Sequence, residues 1–147
     1  MIGIWPITFE VEIICLGRVM FCHATPRDEN ACFTRLTPDR DLLSAFSRIE
    51  AKVLVCGDTH MQFDRMVGPL RVVNAGSVGM PFGRTGAYWI LLSNEIQFRK
   101  TDYDLEQAAQ RISTTTYPQA EKFADGGVRC PPSEEQMLEL FAAKSLR

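Results

Sequence analysis

The chain has 147 residues, the length of one ordinary domain, and 46 % of them are hydrophobic, which suffices to fill a core. Its formal net charge of -2 gives no sign of a nucleic-acid or anionic-membrane partner. The opening Met1-Ile2-Gly3-Ile4-Trp5-Pro6 lacks a basic start and is soon interrupted by Glu10 and Glu12, so it makes a poor signal peptide. No run approaches the roughly 20 apolar residues of a membrane span. The five cysteines form no Cys-x-x-Cys pair, and Cys15, Cys22 and Cys56 lie in apolar runs, which leads us to expect a reduced, cytoplasmic protein.

Taken in chain order, Thr8 to Ile14 alternates loosely, and Leu16-Gly17-Arg18 turns it into a second strand ending at Cys22; the pair reads as a hairpin. Residues 24 to 37 are polar and read as a loop. Thr37-Pro38 opens a helix, with Thr37 as cap and Pro38 at the first helical position. Leu42, Leu43, Phe46 and Ile49 fall at helical spacing and predict one buried face. Val53–Cys56 is a short, wholly apolar run, read as a strand covered on both sides. Val67-Gly68-Pro69 turns into the strand Leu70–Val73, a glycine-rich bend covers 74–83, and two strands follow at 88–92 and 96–100. Asp104 with Gln107, and Ser133 with Gln136, start two capped helices separated by a weakly polar link at 124–132. The last helix carries Met137, Leu140 and Phe141 on one side. Early alternation of helix and strand, then paired strands, predicts an α/β (α+β) fold with a mixed sheet covered by helices. We read it as a single domain over 1–147, with 101–147 as a helical extension.

The chain has only two histidines, and each follows a strand-like apolar run. His23 comes after Val19-Met20-Phe21-Cys22, and His60 after Val53-Leu54-Val55-Cys56-Gly57-Asp58-Thr59. Ligands in open α/β sheets gather at the carboxyl ends of strands. Imidazole nitrogen and carboxylate oxygen together suit zinc, manganese or iron, so His23, Asp58 and His60 are candidate metal ligands. Gly57 would permit the sharp exit that carries Asp58 and His60 into a loop. Arg27, Arg65 and Arg84 are read as lying in loops beside these motifs; Arg27 and Arg65 are the candidates for binding phosphate oxygens. A Cys22 nucleophile has no orienting acid in the sequence, and the bend at Gly76 and Gly79 lacks the ending of a phosphate-binding loop. No catalytic acid or base is identifiable.

His23-Ala24-Thr25-Pro26 and Gly57-Asp58-Thr59-His60 resemble the last two ligand motifs of calcineurin-like metallophosphoesterases, a histidine in a Cys-His-Gly/Ala-x-Pro context and a Gly-His-x-His segment. Asn74-Ala75-Gly76-Ser77-Val78 is similar to the Asn-Pro-Gly-Ser-Val turn that follows in the small bacterial phosphodiesterase branch. The resemblance implies a β-sandwich flanked by helices, hydrolysis of phosphomonoesters or phosphodiesters, and a dinuclear site of manganese, zinc or iron. Two adjacent ions clamp a phosphate ester and lower the pKa of a water between them. By the same resemblance His23 and His60 serve different ions, and Asp58 stands where the family has the first histidine of Gly-His-x-His.

The family's earlier motifs, Asp-x-His, Gly-Asp and Gly-Asn-His-Asp/Glu, have no counterpart, since no histidine remains to supply them. The expectation is therefore a partial domain, the carboxyl-terminal half of a family member, with impaired turnover. Its partner would be a small phosphate ester, and an open sheet surface would favour association with another chain. The alternative is a non-catalytic scaffold of the same fold.

Overall fold

The structure, a computed structural model, describes residues 4–144. The reading of Met1–Gly3 as part of a non-signal start lies outside the described residues.

Among the described residues, seven strands, four α-helices and one π-helical turn follow one another. Strands β1 (Thr8–Ile13) and β2 (Gly17–Cys22) form the expected antiparallel hairpin, paired from Thr8↔Cys22 to Ile13↔Gly17. Helix α1 (Asp39–Ala45) carries the chain to β3 (Val53–Cys56), which lies parallel to β2. β4 (Phe63–Val67) and β5 (Leu70–Asn74) make a second antiparallel pair, with β5 parallel to β3. The resulting five-stranded sheet has the order β1-β2-β3-β5-β4. β6 (Ala87–Leu92) and β7 (Ile96–Thr101) form a separate antiparallel sheet of two strands. This is the mixed α+β architecture that the sequence pattern predicts.

The period of two along each strand divides the core between the two sheet faces. Val19, Val53, Val55 and Val73 point one way, with Phe21 beside them, and pack on Ile90, Leu92 and Ile96 of the β6–β7 layer. Met20, Leu54, Cys56 and Val72 point the other way, onto Leu42 and Phe46 at α1 and Phe33 of the preceding loop. Phe33 meets Phe46 and Phe63 edge-on, with ring centroids 5.5 and 6.0 Å apart. All four residues of β3 are buried. Helix α2 (Leu105–Ser113) and α3 (Ala120–Phe123) build a satellite cluster on Ala109, Ala124 and Val128, and α4 (Glu134–Ala142) closes the described chain. None of these helices is long and apolar enough to cross a membrane.

Four local expectations need revision. Pro38 rather than Thr37 holds the cap position of α1, and the helix starts at Asp39, while the Thr37 hydroxyl accepts the Thr34 N–H at 3.0 Å. Leu43 is exposed, because the helix is only seven residues long and its buried face narrows to Leu42. β4 is an additional strand, buried at Phe63 and Val67 and otherwise open or half-open. The link at 124–132 contains a π-helical turn, Ala124–Arg129, closed by Cys130 N–H to Asp125 O at 2.8 Å. Both capping expectations hold: Asp104 accepts from Gln107 N–H, and Ser133 with Gln136 forms a complete capping box.

The outer strand β1 is largely exposed, and Trp5, Ile7, Phe9 and Ile14 show apolar surface along it. Leu54, by contrast, is wholly buried at the centre of the sheet. Leu54→Ala is expected to lower unfolding stability by about 2–5 kcal/mol, read by urea denaturation, because the cavity adds to the lost transfer energy.

Candidate metal centre

Parallel pairing places the carboxyl ends of β2 and β3 side by side, with Phe21 opposite Val55. The Gly57 N–H donates to the His23 carbonyl at 2.8 Å and ties the two exits together. His23 Nε2 then lies 3.6 Å from Asp58 Oδ1. The His23 side chain is 62 % exposed and that of Asp58 19 %. Asp58 Oδ2 is buried and has no hydrogen-bond partner among the described residues. A buried carboxylate oxygen without a donor is costly, so it marks a place where a cation would be welcome.

The turn that delivers Asp58 is left-handed at two side-chain-bearing residues. Asp58 has φ 61° and His60 φ 58°, while Gly57 is not in this region. The sharp exit thus comes from Asp58 and His60 rather than from the glycine. Aspartate and histidine tolerate this conformation better than most residues, and such positions concentrate at functional sites. Tertiary contacts hold the turn. The buried Asn74 amide donates to the Gly57 carbonyl and to Thr59 Oγ1, and its oxygen accepts the Gly76 N–H at 2.9 Å. Thr59 Oγ1 in turn donates to the Phe33 carbonyl at 3.2 Å. Gly76 itself has φ 80°, and a Cβ there would meet Gln62 at 2.7 Å. Asn74 was legible only as part of the turn motif; its role as a clamp depends on a contact 17 residues back.

His60 faces a different neighbourhood. Its Nδ1 is 2.8 Å from the Met80 carbonyl, and its ring stacks on Phe82 at 5.3 Å. A carbonyl can only accept, so Nδ1 is the donor in this contact; in the neutral ring that arrangement presents Nε2 as the ligating nitrogen. His60 lines a cleft of about 290 Å³ shared with Gln62, Arg84, Tyr88 and Glu134. The structure brings His23 and Asp58 together. Among the described residues, no three His, Cys, Asp or Glu groups gather where they could hold one ion.

The arginines divide in the same way. Arg65 lies on β4, and its guanidinium donates to the carbonyls of Thr34, Arg35 and Thr37 and pairs with Asp39. It anchors the loop before α1, and those donors are not available to a phosphate. Arg27 and Arg84 are exposed. The thiols near the site are held neutral: burial pushes Cys22 up to about 12, and burial beside the Asp58 carboxylate raises Cys32 to about 11. Burial also raises Cys56. A Cys22 nucleophile is therefore disfavoured.

No family model matches the sequence, and no curated protein matches it. Solved structures share its fold. A hypothetical protein of Pyrococcus horikoshii superposes with a TM-score of 0.68 at 20 % identity, over 82 % of this chain and 50 % of its own. A metallophosphoesterase of Sphaerobacter thermophilus superposes with a TM-score of 0.64 at 14 % identity, over 86 % of this chain and 59 % of its own. The chain thus has a metallophosphoesterase-like fold and spans between half and three-fifths of the length of these two neighbours.

The clamp on the Asp58 turn is testable. Asn74→Ala strips partners from the Gly57 carbonyl and the Gly76 N–H, and is expected to cost about 1–3 kcal/mol of stability. Amide exchange at Asp58, Thr59 and His60 should accelerate more than exchange in β3.

Proposed function

We propose that this chain carries part of a metal-dependent phosphoesterase site, acting on phosphomonoesters or phosphodiesters, with His23 and Asp58 as the paired ligands and His60 as a ligand at a neighbouring position. The carrying observation is the pair itself: two donors from adjacent parallel strands, 3.6 Å apart, one with an orphaned buried oxygen. The donor chemistry fits a divalent ion that accepts nitrogen and oxygen together. His60 supports the reading through the hydrogen bond from Nδ1 to the Met80 carbonyl, which orients the ring. A bound divalent ion supplies charge stabilisation to a phosphoryl oxygen. The residues in hand orient and hold; none of them is placed to act as general acid, so turnover by this chain is expected to be weak.

Manganese is the suitable probe, because it favours oxygen and imidazole donors over the five thiols. Saturation at about 100 times its Kd should add roughly 2.7 kcal/mol of stability. For a chain of this length that raises the melting temperature by roughly 5–10 °C. Asp58→Asn and His23→Ala should each abolish the rise, and any manganese-dependent release of nitrophenol from an aryl phosphodiester should disappear with it. An identical rise in Asp58→Asn would overturn the reading.

A second reading is favoured by the exposed apolar edge along β1, where Ile14 is 84 % and Phe9 60 % exposed. Unprotected edges of this kind recruit other chains. On this reading the chain is a non-catalytic scaffold that associates through β1. Sedimentation velocity would then show reversible association that chelator leaves unchanged and that Phe9→Lys weakens; a monomer at all concentrations would exclude it.

A further inference from the structure

Phe82, which lines the His60 cleft, also lines a second cleft of about 260 Å³ between the 80–82 loop and the π-helical turn. Its walls are the rings of Phe82, Tyr117 and Phe123, with Met80 and Pro132. Tyr117 and Phe123 stand at 82° to each other with centroids 6.4 Å apart, an edge-to-face pair on the slot's lining. Aromatic faces and edges in that arrangement complement a further planar ring. The π-helical turn shapes the floor. A Cβ on Gly127 would press on the Phe123 ring at 3.1 Å, whereas a Cβ on Gly126 would meet nothing within 4 Å. Gly127 thus makes room for the Phe123 ring itself, and Gly126 leaves open space beside the slot. Single π turns of this kind recur at functional sites.

The rim is charged on one side. Lys122 lines the slot and has no ion-pair partner among the described residues, while the neighbouring Asp125 is engaged by Arg129 at 2.8 Å. An uncommitted ammonium beside a hydrophobic slot selects a ligand with an anionic substituent at one end. The volume admits one planar ring system and little more.

We infer that this slot binds a planar aromatic molecule bearing a single anionic group, with the ring between Phe82, Tyr117 and Phe123 and the anion at Lys122. Phe82 also stacks on His60, so the slot and the His60 cleft share this ring. The slot does not depend on any metal at His23 and Asp58.

The test is a metal-free titration of the full chain with 1-naphthol, 1-naphthyl phosphate and inorganic phosphate, followed by backbone amide shifts at Gly126 and Gly127. Naphthol should saturate those shifts, naphthyl phosphate should bind roughly two- to fivefold tighter, and inorganic phosphate should leave them unmoved. Lys122→Gln should erase the difference between the two naphthyl ligands. Phe123→Ala should weaken both by about tenfold. Gly126→Leu, which fills the slot without removing any packed ring, should block both and guards against a folding defect in Phe123→Ala. Absence of naphthol binding, unchanged binding in Gly126→Leu, or a preference for naphthyl phosphate that survives Lys122→Gln would overturn the assignment. Because these readouts use no metal, they stand or fall apart from the phosphoesterase reading.

Discussion

Strand β3 is buried on both faces, and the site inherits its geometry from that constraint. Val53 and Val55 must be covered by the β6–β7 layer while Leu54 and Cys56 must be covered by α1 and its loop. A strand with two apolar faces can satisfy both only at the centre of a sheet, between β2 and β5. Each buried aliphatic side chain contributes about 1.5–3 kcal/mol, which makes any slip in register expensive. With register settled, the ends of β2 and β3 are neighbours, and His23 and Asp58 meet at those ends.

The turn beyond β3 shows how the sheet is used. Left to itself, a segment with two non-glycine residues at positive φ would relax toward ordinary backbone. Asn74, at the end of the parallel neighbour β5, reaches across to the Gly57 carbonyl and Thr59 and prevents it. One carboxylate oxygen is left buried without a donor as a result. His60, two residues on, is turned to Met80 and Phe82, so the same strained turn sends its carboxylate and its imidazole toward different surroundings. Phe82 then separates the His60 cleft from the aromatic slot, giving this end of the molecule two distinct concavities that share a single ring.

Legibility varied with the range of the interaction. The β1–β2 hairpin, the apolar β3 run and the two helix caps at Asp104 and Ser133 were readable because their signals lie within a few residues. β4 was not readable: Asp64, Arg65 and Met66 dilute its pattern, and only pairing with β5 makes Phe63 and Val67 a buried face. Thr37 looked like a cap because it precedes Pro38 before an apolar helix, yet Pro38 holds the cap position and the Thr37 hydroxyl accepts the Thr34 N–H. Arg65 read as a free loop arginine, whereas its guanidinium is committed to carbonyls some 30 residues earlier.

By itself the amino-acid order determined the alternation of strands and helices, the doubly apolar centre, and the arrival of His23, Asp58 and His60 just beyond strand ends, because hydrophobic period and local turn chemistry act over short spans. The tertiary structure decided which of those groups meet, which nitrogen of His60 faces the Met80 carbonyl, that Arg65 is a structural anchor, and that Phe82 joins the Tyr117 and Phe123 segment in lining a slot. Those outcomes depend on pairs of residues separated by tens of positions, and only the packed sheet brings such pairs within reach of a hydrogen bond or a ring contact.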